Sequence, residues 1–502
     1  MIKRCLLLLL FIPLFCHAQE FGFGFGDYED GVEDNLKPGQ QSLLPFTLTL
    51  AGEIEAGPTL FVHDFSGDAG GFSVWDMLSA KLNFTVSGKN AKSYISLNLS
   101  QRAFAELMDN SFDPYTPMIL DEMWLAGYFD RVVVEAGLMK LRWGRMYSPG
   151  PLDVVNPLDY SDLTNITESR AMKIARPMVH ASYRIGDFSE VEAVFLPNFA
   201  GHRFAKDGRW MPDQYSNMEA QFSNGVLDRA IEQFSPLVSA SQIKQLFNQN
   251  KDSFDIPEIF PDTSGVEYFQ TGLRFNTVIA QSDLGFQYFY GNMFRPSVTL
   301  TGVDDLLSNM RKNYISGKDP FSGSEGLISS HIEYSRYHQI GVDYSQVLSG
   351  FTVRAEFAAN ITEDTTGEDG KVKNPFLSWA IGFDRDIFAG VNINIQCNES
   401  IRLLDENVTR NPALDSEGAS DVTSTRLIVQ IQKNFFRDKM ECKLVNIWGI
   451  EDFDCLIVPS VAWSLNDTCI ELSAGIFAGD NAGELGQYWE NSYIKLKVRY
   501  SF

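Results

Sequence analysis

The sequence predicts an all-β chain, a transmembrane antiparallel β-barrel of about eighteen strands within a range of roughly 14–18. Three observations lead there. Short runs of alternating apolar and polar residues recur along the chain. The connections between those runs sort by length into short and long. Finally, no stretch after the N-terminus approaches the ~18 consecutive apolar residues of a membrane helix, so any crossing must use strands.

The first runs set the pattern. Phe46, Leu48, Leu50 and Ile54 share one face of an extended 46–57, and Thr47, Thr49, Glu53 and Glu55 the other; Ala80, Leu82, Phe84 and Val86 repeat it over 80–88. Further runs lie near 93–102, 121–129, 131–141, 177–185, 188–197, 266–276, 280–290 and 337–346. The remainder lie near 349–360, 376–384, 388–397, 424–434, 439–449, 453–463, 468–477 and 491–502. In the run at 280–290, Leu284, Phe286 and Tyr288 should face lipid, and Asp283 and Gln287 the lumen.

If the chain starts inside, the connections near 88–92, 130, 186–187, 277–279, 347–348, 385–387, 435–438 and 464–467 all fall on the inner side and are short. Those at 57–77, 103–120, 142–176, 198–265, 291–336, 361–375, 398–423 and 478–490 are long and lie outside, with 450–452 the exception. A soluble sandwich has no reason to sort its loops this way, whereas barrels of the outer-membrane type do. In hydrocarbon every backbone N–H and C=O must pair, so the last strand must close on the first. Glu53 and Glu55 would then face inward beside Lys495, Lys497 and Arg499, a seam of opposite charges.

The start of the chain reads as a leader. Lys3 and Arg4, the apolar run Cys5 to Phe15 and small residues before a cut after Ala18 mark 1–18 as a secretory signal peptide. The bulky Phe15 argues against lipid modification at Cys16. Residues 19–44, rich in glycine and acids, read as a flexible segment, or else as an aromatic tuck of Phe21, Phe23 and Phe25 into the lumen. The barrel occupies 45–502. Loss of Lys3 and Arg4 takes the formal charge from -24 to -26, which excludes nucleic acid as a partner class. Of the mature cysteines, Cys397, Cys442, Cys455 and Cys469, none has zinc spacing; Cys442 and Cys455 are either single thiols or a cross-strand pair.

The chain ends in an alternating strand closed by Tyr500 and Phe502. This resembles the C-terminal signal by which bacterial outer-membrane barrels are recognised. The resemblance implies location in the cell outer membrane, with outer-membrane lipid and the barrel assembly machinery as partners. The segment 138–163, with Trp143, Gly144, Asn156, Pro157 and Asp159, is similar to one found in large outer-membrane barrels of unassigned function. Neither a plug domain nor a hatch motif is present at the N-terminus.

In general porins, to which this architecture is similar, the third long loop folds into the lumen. Here that loop, 142–176, carries Arg142, Arg145, Arg170 and Lys173 with Asp153, Asp159 and Asp162, as candidates for a constriction. Opposed charges across a narrow passage orient polar solutes and set ion preference. The alternative is a solvated loop whose charges pair among themselves. Helical periodicity at 216–234 and about 240–248 predicts two amphipathic helices, which either cover or enter the lumen or form a rigid outer cap with no gating role.

No cofactor or metal is expected, because the acidic clusters Asp27–Asp34 and Glu363–Asp369 lack the ligand spacing of a calcium loop. No G-x-S-x-G motif occurs, and a hydrolase would have to use His331 or His338 with a carboxylate at the rim. The expectation is therefore a non-enzymatic, porin-like channel for passive uptake of small polar solutes, with a homo-oligomer left open. The alternative is a surface adhesin or structural protein acting through long acidic loops.

Overall fold

The structure is a computed structural model, and it describes residues 46–63, 72–73, 78–108, 118–235, 238–249 and 261–502. The leader at 1–18, the segment 19–44 and the cluster Asp27–Asp34 lie outside the described residues. The wall begins with β1 (Phe46–Ala56), β2 (Leu78–Gly88), β3 (Ala91–Ser100), β4 (Leu120–Phe129), β5 (Val132–Met139) and β6 (Arg176–Ile185). It continues through β7 (Ser189–Leu196), β8 (Gln270–Ile279), β9 (Ser282–Asn292), β10 (Arg336–Leu348), β11 (Phe351–Thr362) and β12 (Phe376–Asp386). It ends with β13 (Val391–Arg402), β14 (Thr423–Phe435), β15 (Met440–Gly449), β16 (Asp454–Leu465), β17 (Thr468–Gly479) and β18 (Tyr493–Ser501).

Each strand pairs antiparallel with the next, and β18 returns to β1 with Ile54 opposite Tyr500 and Glu55 opposite Arg499. The sheet is thus a closed ring of eighteen. Gly52 and Phe502 exchange both backbone hydrogen bonds, at 2.8 and 2.9 Å, so the final residue belongs to the seam. A Cβ at Gly52 would stand 2.7 Å from the Phe502 ring, which is why the first strand carries a glycine there. All eighteen alternating runs give strands, but the eighth is displaced from 266–276 to 270–279: residues 266–268 form a 3-10 turn, and the inner connection falls at Ala280 rather than at 277–279.

The loop sorting also holds. Inner turns are tight and place Asp130, Ala280, Ser349 and Asn466 at positive φ, as two- and three-residue hairpins require. On the outside, Phe286 in β9 is 49% exposed and its neighbour Gln287 is 4% exposed, so the expected register is correct. Leu50, Ile340, Ile381, Leu472 and Leu496 continue the outward apolar belt. A closed barrel with this belt and short turns at one end is an outer-membrane-type barrel, and its place is the outer membrane.

Packing is concentrated inside and above the ring. The helices α1 (Gln101–Met108), α2 (Met218–Phe234), α3 (Ala240–Gln249) and α4 (Val303–Ile315) belong to the outer loops. Helices α2 and α3 match the predicted periodicity. The other two were not anticipated, although Val303, Leu306, Leu307 and Met310 form a helical stripe legible in the sequence. Phe222, Val226, Phe234, Ile243, Leu306 and Leu307 are among the buried residues of a cap core shared by α2, α3 and α4. The cysteine question is decided by register: Cys455 stands opposite Trp448 and Cys442 opposite Val461, so the two thiols are displaced along the strands. All four described cysteines are free.

Candidate functional site: the lumen and its inserted loop

The loop 142–176 leaves β5 and is knotted at its base by Asn156. The Asn156 amide donates to Met139 O and Ile174 O, both at 2.9 Å, and its oxygen accepts from Leu141 N at 2.7 Å. This brings the incoming and outgoing chain together and fixes the direction of what lies between them. Lys173 adds a second tie, donating to Asp153 at 2.6 Å and to Leu141 O at 2.9 Å.

From that base one arm, 142–152, docks on the wall formed by β9 to β13. The Glu356 carboxylate on β11 accepts backbone N–H groups from Arg145 (2.5 Å), Met146 (3.0 Å) and Leu152 (3.2 Å). Two glycines allow that approach: a Cβ would lie 2.5 Å from Glu356 Oε1 at Gly144, where φ is +86°, and 2.4 Å from Oε2 at Gly150. The Arg145 side chain bonds Asp343 on β10 at 2.5 Å, and Asp283 lies 3.7 Å away. Tyr147 OH donates to Asp384 at 2.8 Å, while Arg354 lies 4.2 Å over its ring. Ser148 N and Leu152 O reach Gln396 and Gln287. Trp143 is buried and donates to Glu192 at 3.3 Å.

The second arm reaches the opposite wall. Lys497 on β18 donates to Glu168 at 3.0 Å, and Lys495 donates to Asn165 at 3.1 Å and Thr164 at 3.4 Å. Tyr493 OH donates to Thr164 O at 3.0 Å. Burial alone would raise the Glu168 carboxyl, but Lys497 and the neighbouring cations hold it down at about 2. At the seam itself, Arg499 lies 3.5 Å from Glu53 and 3.3 Å from Glu55, and Lys497 is 3.9 Å from Glu55. The loop therefore lies across the lumen, held at both ends by charge.

The seven residues expected at a constriction have separate partners. Arg142 donates to the Met146 and Tyr147 carbonyls inside its own arm. Asp153 and Lys173 form the base pair already described. Asp159 binds Arg203 of the next outer loop at 3.0 Å, and Asp162 accepts from Thr164 N at 2.9 Å, with Arg102 at 4.0 Å. Arg170 reaches Glu122 on β4 at 3.2 Å. Among the seven, Arg145 and Arg170 meet carboxylates of the wall. The wall carboxylates Glu356, Asp343 and Glu122 were not singled out in the sequence; inward-facing acids on predicted strands were the available signal.

Residues tied to the rival readings are dispersed. His331 contacts Glu333 at 3.0 Å on an outer hairpin, whereas His338 stands on the outward face against Tyr288 OH at 2.7 Å. Asp364 of the Glu363–Asp369 cluster accepts N–H bonds from Thr366, Gly367 and Asp369, capping its own loop. No group of three or more His, Cys, Asp or Glu residues suited to a metal occurs among the described residues.

Above the loop, the mouth is crossed by an ionic chain. Arg295, between β9 and β10, bonds Glu484, between β17 and β18, and Glu484 also bonds Arg426 on β14. Those loops lie nearly opposite one another in the ring of eighteen. The Arg295 and Glu484 side chains remain 46% and 43% exposed, so the bridge stands in water. Arg295, and with it Arg426, holds the Glu484 carboxyl at about 2. Beside them His202 accepts from Leu158 N at 2.9 Å, and burial with the nearby Arg295 and Lys373 charges pushes its pKa down to about 3. It is a neutral ring.

No family model and no curated protein matches the chain. Solved structures similar to it include Acinetobacter baumannii OccAB4, at 9% identity and a TM-score of 0.44, covering 93% of this chain and 100% of that one. The outer membrane channel DcaP of the same organism aligns at 9% identity and 0.39, covering 92% and 99%. Salmonella typhi OmpF in complex with daunomycin aligns at 8% and 0.37, covering 91% and 97%. At these identities and scores, nothing about solute or mechanism carries over.

Proposed function

We propose that the protein is a passive, porin-like channel for small polar solutes, its lumen narrowed by loop 142–176. The observation that supports this reading is the course of the loop across the lumen, from Glu356 and Asp343 on one wall to Lys497 on the other. A bare ring of about eighteen strands encloses an aqueous channel, so selectivity requires an inserted element. Transport through it needs no catalysis, because pore width and lining charge select the solute. Outer-membrane lipid and the barrel assembly machinery are the partners this reading entails, and self-association fits it.

The test is current through the purified full chain in planar bilayers. Discrete steps are expected, and replacing 159–168 by a short Gly-Ser linker should raise their size and weaken ion preference. An adhesin reading draws on the helical cap of α2, α3 and α4, and it gains if the intact protein never conducts.

A further inference from the structure

The loops beside the Arg295 bridge bring together an unusual set of groups for so acidic a chain. Four outer loops contribute to it. Tyr160 stacks on Phe204 at 5.4 Å and 14°, Tyr215 meets Phe204 edge-on at 5.6 Å, and Arg295 lies 5.7 Å from the same ring. Tyr334 packs on Phe199, which in turn stacks on Phe294 beside His202. Lys373 is brought in by its backbone N–H, which donates to Ser335 Oγ at 3.3 Å, and Ser335 bonds Ser297 at 3.2 Å, two residues from Arg295.

Most polar groups in this molecule are paired, but here several are not. Among the described residues, the Lys373 ammonium and the hydroxyls of Tyr160, Tyr215 and Tyr334 have no hydrogen-bond or ion-pair partner, and none of these atoms is sealed from water. A partly buried, unpaired ammonium in the same cluster as three unpaired phenols makes a donor-rich surface. Arg295 adds a half-exposed guanidinium to the same side. Such a surface is matched by a ligand rich in acceptors and negative in charge.

We propose that this cluster is a binding subsite for a small solute carrying an anionic oxygen group, a carboxylate or phosphate, on a hydroxylated body, with Lys373 as its ionic anchor and the tyrosine hydroxyls as donors. The proposal rests on the channel reading for its purpose, since it places a selective stop above the constriction. Its geometry stands independently of conduction. Burial and the neighbouring Arg295 charge bring Lys373 down to about 8, Glu417 offsetting part of this. The charged groups acting on it come from two other loops, Arg295 and Glu417, and the nearby His202 is neutral.

Equilibrium binding to the detergent-solubilised full chain, followed by titration calorimetry, tests this directly. Galacturonate and glucose 6-phosphate should bind and glucose should not, the two anions separating carboxylate from phosphate recognition. Lys373→Gln should weaken the preferred anion by about tenfold, the scale of one charge-assisted hydrogen bond. Tyr334→Phe should weaken it by a smaller factor. Binding to the unaltered chain should fall as pH rises through about 8, where Lys373 loses its proton, and that fall should vanish in Lys373→Gln. Equal binding by glucose, or unchanged anion affinity in a folded Lys373→Gln barrel, overturns the subsite. Anion binding without bilayer current would instead leave the subsite standing and remove the channel reading.

Discussion

At the scale of single residues, Glu356 concentrates more of the proposed mechanism than any other side chain. Its carboxylate faces three amide donors, and only glycine at 144 and 150 leaves room for it. Glu356→Gln removes the charge and half the acceptor capacity, weakening the docking of arm 142–152 by on the order of 2–3 kcal/mol. The barrel should still form, while proteases cut 142–152 faster; an unchanged cutting rate would count against the anchor. Gln287 shows the limit of reading a lumen position as merely wet. It faces inward as expected, but it is packed against Leu152 O and bonded to Arg274 and Gln339, so an arginine there disrupts a network. The fair comparison for Phe286→Arg is Gln430→Arg, on the less crowded inner face of β14. The first should cost up to about 2–4 kcal/mol in denaturant unfolding and the second little.

At the scale of elements, the loop and the mouth are both fastened by carboxylates with lowered pKa values. Glu168 and Glu484 sit at about 2, against an ordinary 4.5. A carboxyl lowered by folding stabilises the folded arrangement above its ordinary value, and that contribution is lost as pH falls from about 4.5 toward 2. Both fasteners should therefore hold at neutral pH and loosen in that acid window. Single-channel current at stepped pH should show added open-state noise there, and Glu484→Gln should bring the noise to neutral pH. Noise that instead begins above pH 6 would point to a different group.

At the scale of the whole molecule, closure is the controlling event, because an open sheet edge cannot persist in hydrocarbon. Phe502 supplies both backbone bonds to Gly52 and stacks on Tyr500 at 6.2 Å, so it is part of the seam itself. Deleting it should leave unfolded chain accumulating before insertion, seen as loss of heat-modifiable mobility on gels. Normal mobility after the deletion would contradict the role. Charge at the same seam, Arg499 with Glu53 and Glu55, then joins the first and last strands from the lumen side.

The strand count, the lipid-facing side and the sorting of loops were legible in the sequence, because side-chain direction in a strand alternates with period two and a membrane imposes its pattern on every crossing. The pairing of Glu53 and Glu55 with Lys497 and Arg499 was legible for the same reason, since closure assigns the last strand its neighbour, whereas Lys495, expected at the same seam, turns to Asn165 and Thr164 of the inserted loop. Local signals also announced α2 and α3, and a stripe as clear announced α4. The partners of loop 142–176 were not legible. Its pairings with Glu356, Asp343 and Lys497 join residues some two to three hundred positions apart, and only the curvature of the closed ring brings those walls within reach. The mouth is the same case: Arg295, Lys373 and Glu484 come from three separate loops with no shared period or spacing. Alternation along a strand determines which way a residue faces, whereas what it meets across a lumen is decided by the three-dimensional closure of the sheet.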